Sequence, residues 1–102
     1  MSKTAKRLKE MGVVLPKPAA PVANYVPSVR AGSLLFVSGQ LPLGEDGKLA
    51  ERHQGKLTAE SEVDAAREAA RLCVINVLAQ AHAALGDLDK VRRVVQIGRA
   101  HV

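Results

Sequence analysis

Ser38 and Gly39 stand where side-chain and backbone chemistry could meet a small molecule, directly after the apolar run Leu34-Leu35-Phe36-Val37 and before Gln40-Leu41-Pro42. The missing Cβ of Gly39 leaves room for another group to approach the backbone, and Pro42 removes a ladder donor and ends regular pairing. A hydroxyl beside an approachable backbone suits binding of a polar ligand at a strand end. The same pattern fits a plain bulge before a turn. A nucleophilic role for Ser38 is excluded by spacing, because the elbow that activates serine needs glycine two positions to either side and those places hold Phe36 and Gln40. His53, His82 and His101 lie far apart without metal-ligand spacing, so no zinc or other metal is expected. Cys73 falls among apolar helix positions and reads as a buried structural thiol. Asp87 and Asp89 open like a calcium loop, but the glycine and terminal glutamate such a loop needs downstream are absent, as is a phosphate-cradling glycine loop.

The elements that must position Ser38 and Gly39 follow from the pattern. Four consecutive large apolar residues, Leu34 to Val37, predict a short strand buried on both faces. Tyr25 to Arg30 predicts a preceding strand, with Pro27 at an edge or bulge and Ala31-Gly32-Ser33 as the turn of a hairpin. Asp46-Gly47 supplies a second turn, and Lys48 to Ala50 returns as a short strand. Thr58 reads as the N-cap of a long helix with Glu60 and Glu62 in its first turn and Gly86 as its stop. Val63, Ala66, Ala70, Cys73, Val77, Ala81 and Leu85 recur at helical spacing, and from Ala59 to Leu85 that stripe would run roughly 40 Å, enough to cover a small sheet. A bulky residue at Ala70 is therefore expected to overpack the contact. Val91 to Ile97 predicts one further strand after the turn Asp87-Leu88-Asp89. Ahead of all this, Ser2 to Met11 predicts a short helix capped by Ser2 or Thr4 and stopped by Gly12. Pro16, Pro18 and Pro21 then make a stiff connector.

Composition narrows the function classes. The chain of 102 residues suits one domain with a small core that association with further copies would enlarge. Aromatic residues make up 2% of it against 47% hydrophobic overall, so nucleotide bases have almost no platforms to stack on. The net charge of +5 collects at Lys3, Lys6, Arg7 and Lys9 and at Lys90, Arg92, Arg93 and Arg99, two separate ends rather than one stripe. That distribution argues against nucleic acid as a partner. A single cysteine excludes an internal disulfide and fits a reducing compartment, no apolar run reaches membrane-spanning length, and the N-terminus lacks a secretory signal core. A cytoplasmic protein without membrane partners is the expectation.

The run Tyr25-Val-Pro-Ser-Val-Arg-Ala-Gly-Ser-Leu-Leu-Phe-Val-Ser-Gly-Gln-Leu-Pro42, with the alanine-rich helix and Ala84-Leu-Gly-Asp-Leu-Asp-Lys-Val91, resembles the RidA/YjgF family of reactive-intermediate deaminases, formerly called L-PSP endoribonucleases. The resemblance covers about Tyr25 to Val95. Arg7-Leu-Lys-Glu-Met-Gly-Val-Val-Leu-Pro16 is similar to the leader of a longer-chain subgroup. What this implies is a chorismate-mutase-like α+β fold, with a long helix on one face of a mixed sheet, assembled as a homotrimer with sites between subunits. The implied activity is cofactor-free hydrolysis of small anionic enamines and imines such as 2-aminoacrylate to a keto acid and ammonia. By position, Tyr25 would line the pocket and Ser38 and Gly39 would contact substrate. An arginine holds the substrate carboxylate in the family and a glutamate positions water; their segment is not among these residues, so no catalytic residue is assigned here.

Three divisions are expected: 1-22 as leader and connector, 23-95 as a partial domain, and 96-102 as a non-native tail. Ile97-Gly-Arg-Ala-His-Val102 is what a frame of a common sequencing adapter encodes. The leading expectation is thus a truncated deaminase-like chain that is inactive as it stands. A non-catalytic small-ligand-binding or chaperone-like trimer and an endoribonuclease are the alternatives.

Overall fold

In the computed structural model, residues 3-18, 20, 24, 26-51, 54-55 and 62-98 are described. Helix α1 (Lys3–Glu10) comes first, then strands β1 (Ser28–Ala31) and β2 (Leu34–Val37), helix α2 (Val63–Leu85) and a 3₁₀ turn at Leu88–Lys90. The α+β class expected from sequence holds, with α2 packed against both strands.

The hairpin forms as its punctuation predicts. Gly32, at φ +59°, makes the tight return that brings Ala31 opposite Leu34, and the register continues through Arg30–Leu35 and Val29–Phe36 to Ser28–Val37. Because opposed residues share a face, Val29, Ala31, Leu34 and Phe36 lie on one side of the hairpin. That side is bare: Phe36 is 57% exposed and Leu34 48%. The expectation of a strand buried on both faces is therefore corrected for the single chain. Leu35 and Val37 turn inward while Leu34 and Phe36 face outward, since a hairpin backed by one helix has only one covered side.

Two further strand expectations change. Lys48 to Ala50 contributes one isolated bridge, Leu43 to Leu49, rather than a strand. Residues 91-98 are exposed and form no strand. The sheet among the described residues is antiparallel and two-stranded, so the parallel pairing that a mixed sheet requires is not present there. An apolar β-prone run becomes a strand only when a neighbouring strand supplies its hydrogen bonds.

Helix α2 ends where expected, at Gly86, whose φ of +79° needs no Cβ penalty and whose N–H donates to the His82 carbonyl at 2.7 Å. Its start differs. Glu62 occupies the N-cap position without a capping side-chain bond, while Thr58 and Glu60 lie outside the described residues. The covered face overlaps the expected one and extends to one side of it. Of the expected stripe, Ala66, Cys73, Ala81 and Leu85 are buried or half-buried and Val63, Ala70 and Val77 are exposed, while Ala65, Ala69, Leu72, Asn76 and Ala79 beside it are also covered. Neighbouring positions are about 100° apart on a helix, and Asn76, whose partners lie only on the inside, holds that side inward. The core is small, with Ile75, Ala79, Ala81 and Leu88 as its buried apolar members.

Helix α1 matches its predicted span within a residue and stops at Gly12, φ +73°. Of its two expected caps, Ser2 lies outside the described residues and Thr4 lies within the helix rather than before it. The Lys3 and Thr4 N–H groups each donate to an oxygen of Asp89 at 2.8 Å, and the Thr4 hydroxyl donates to the same carboxylate at 2.6 Å. A carboxylate at the positive end of the helix, 85 residues away in sequence, thus fastens the leader to the turn after α2. The Asp87 carboxylate accepts from the Asp89 N–H at 2.9 Å and fixes that turn. No helix among the described residues is long and apolar enough to cross a membrane.

Candidate functional site

The segment that leaves β2, Ser38 to Leu43, is held at both ends. At its start the Ser38 N–H donates to the Pro27 carbonyl at 2.9 Å and the Ser38 hydroxyl donates to the Val26 carbonyl at 2.8 Å. These two bonds extend the hairpin one residue beyond its ladder and tie the strand end to the residues before β1. At the far end the Asn76 side-chain amide, on α2, donates to the Leu43 carbonyl at 2.9 Å and the Leu41 carbonyl at 3.3 Å, besides its own Leu72 carbonyl at 2.8 Å. Between these anchors the Gln40 amide donates to the Ser38 carbonyl at 3.1 Å. The chain there is positioned by side chains, because neither strand nor helix reaches it.

Gly39 lies exposed in the middle. A Cβ built on it would meet no heavy atom within 4 Å, and among the described residues no group accepts from its N–H. The site thus offers a backbone donor in the open and, beside it, a serine hydroxyl whose O–H donates to the Val26 carbonyl while its oxygen keeps lone pairs for a ligand's N–H. Such a pair can hold a small polar molecule by its amino and acidic ends. It cannot deliver nucleophilic attack, since no base accepts the Ser38 proton.

Of the residues expected to meet a ligand, Ser38 is half-buried, Gly39 is exposed, and Tyr25 lies outside the described residues. His53 and His101 also lie outside them, and His82 is exposed on the last turn of α2. Cys73 is half-buried, and burial pushes its thiol above the ordinary range, which disfavours the reactive thiolate. No group of three or more His, Cys, Asp and Glu that could hold a metal ion occurs among the described residues.

Sequence reasoning missed Asn76, which is 2% exposed. Its signal was a lone amide inside the apolar run Cys73-Val74-Ile75-Asn76-Val77-Leu78, where an amide is tolerated only with its donors satisfied. It also missed the Asp89 cap, whose partners are too distant in sequence to be paired by pattern.

The model of the family described as "YjgF/chorismate_mutase-like, putative endoribonuclease" matches residues 5–101. Protein TCP17 of Trypanosoma cruzi is 44% identical over 95 residues, which are 93% of this chain and 58% of that protein. A crystal structure from Shewanella oneidensis MR-1, described as a putative endoribonuclease, superposes with a TM-score of 0.77 at 39% identity, covering 86% of this chain and 56% of the other. The protein Atu1372 of Agrobacterium tumefaciens, described as of unknown function, superposes at 0.71 with 49% identity over 88% of this chain and 53% of that one. The chain therefore spans just over half the length of the relatives it matches.

Proposed function

The chain belongs to the YjgF/chorismate-mutase-like family, and from that premise we propose that its strand end supplies part of an enamine/imine deaminase site. The observation that carries this reading is the bare Gly39 N–H beside the Ser38 oxygen, on a segment fastened by Ser38 at one end and Asn76 at the other. A small 2-enamino acid has an amino group for the serine oxygen and a carboxylate for the backbone donor. In the reaction, the enamine tautomerises to an imine, water adds to the C=N carbon, and the C–N bond breaks to release ammonia and leave a keto acid. Fixed donors around an anionic substrate hold the carbon where water can reach it. The cation that neutralises the carboxylate and the group that orients the water are assigned, by the family resemblance, to a segment other than these residues. The uncovered apolar side of the hairpin, Val29, Leu34 and Phe36, supports assembly of three copies, which would bury that surface and close the cleft around Gly39.

The test generates 2-aminoacrylate in situ with a serine dehydratase and follows keto-acid formation. The chain joined to the remaining segment of a full-length relative should accelerate it, with Ser38→Ala raising KM, and the 102-residue chain alone should not. A second reading, RNA cleavage, is favoured by the family's description and by the exposed Lys3, Lys6 and Lys9 on α1. Salt-sensitive RNA cleavage without acceleration of enamine hydrolysis would replace the deaminase reading with it.

A further inference from the structure

Residues of α1 and of the stretch after it, the last turns of α2 and Leu88 together line a groove of about 470 Å³, within the range of small-molecule sites. Its floor is Ala79 and Leu88, 2% and 4% exposed. Leu8 of α1 and Val13 and Leu15 of the connector form its walls. Two residues with basic side chains line it, Lys9 and His82, and no lining residue is acidic. Among the described residues Lys9 pairs with no carboxylate, while the neighbouring Glu10 is taken by Arg7 at 3.7 Å. The roof is fixed in place: the Asp89 carboxylate grips the first turn of α1 through three hydrogen bonds, and Leu88, the residue before it, lies in the floor.

We propose that this groove binds a small apolar carboxylate of roughly six to eight carbons, its tail over Ala79 and Leu88 and its head at Lys9 and His82. Both halves of the ligand are dictated by the lining. A neutral hydrocarbon would leave the unpaired ammonium unused, and a compact hydrophilic anion would leave the apolar walls wet. The pocket is separate from the strand end, so the inference does not depend on the deaminase reading.

The experiment is a titration of the 102-residue chain with butanoate, hexanoate and octanoate, below micelle-forming concentrations, read by backbone amide shifts. Affinity should rise roughly fourfold per added methylene while the tail still finds covered wall. Saturable shifts should centre on Leu8, Val13 and Leu88. Lys9→Glu should weaken octanoate about tenfold, the worth of one charge-assisted contact. Lys6→Glu, exposed on the same helix but not lining the groove, should leave it unchanged. A diazirine analogue of octanoate should mark the peptides that contain residues 8–15 and 79–88. Equal binding of octanol, equal loss in both lysine variants, or adducts centred on Phe36 and Leu34 would each overturn the proposal.

Discussion

Replacing Asn76 tests whether one side chain both rotates α2 and holds the strand end. Its amide has two hydrogens and reaches three carbonyls, two of them more than 30 residues away in sequence, at 2.9 and 3.3 Å. Asn76→Ala removes the two long-range bonds, at about 1 kcal/mol each, and leaves a small cavity, for a total of roughly 2–3 kcal/mol. Asn76→Asp keeps the volume but presents carboxylate oxygens to carbonyl oxygens in a site that is 2% exposed in the native chain. An uncompensated buried charge costs about 3–5 kcal/mol, a large share of the stability of a domain this size. The aspartate variant should therefore be the weaker of the two at neutral pH, and should recover when acid protonates the new carboxyl and lets it donate. Urea unfolding followed by helical circular dichroism gives the order. Hydrogen exchange at Gly44, whose N–H donates to the Lys48 carbonyl at 3.1 Å beside the anchored carbonyls, reports the loop. If Asn76→Asp lay within about 0.5 kcal/mol of the natural chain at pH 7, or were no more stable at pH 4 than at pH 7, the anchoring argument would fail.

Asp89→Ala should release α1, seen as faster amide exchange there and trypsin cleavage first at Lys6 and Arg7. The Asp89 carboxyl is held below the usual range, chiefly by the Thr4 hydroxyl, then by the Thr4 and Lys3 N–H groups, with the Lys3 charge adding to them. A depressed folded-state value contributes stability above the unfolded carboxylate value and loses it as pH falls through the lower one. Protection of α1 should thus persist from neutral into mildly acidic solution, drop only in stronger acid, and show no such drop in the alanine variant. Ala81→Leu, at a site 7% exposed and away from the groove, should cost about 1–3 kcal/mol by overpacking, whereas Ala70→Leu on the exposed side should stay within about 0.5 kcal/mol in thermal unfolding. Gly86→Ala should cost about 1 kcal/mol in the same measurement, all of it from the left-handed backbone, since a Cβ there meets nothing within 4 Å.

The amino-acid sequence by itself determined the punctuated features: the hairpin about Gly32, the ends of α1 and α2 at Gly12 and Gly86, and the placement of Ser38 and Gly39 just past a strand. Each depends on steric preferences confined to a few neighbouring residues, and those survive any environment. Which side of α2 faces the sheet, which side of the hairpin stays bare, and what caps α1 were decided only in three dimensions. Of the expected apolar stripe, Ala66, Cys73, Ala81 and Leu85 are covered and Val63, Ala70 and Val77 are not, because in an alanine- and valine-rich helix several faces are nearly equal in hydrophobicity. The buried hydrogen bonds of Asn76 break that tie, and its partners at Leu41 and Leu43 are known only once the chain has folded. The Asp89 carboxylate and the Lys3 and Thr4 N–H groups likewise share no local signal. Long-range polar contacts are chosen by the geometry that apolar packing has already imposed, and that geometry is a property of the whole fold.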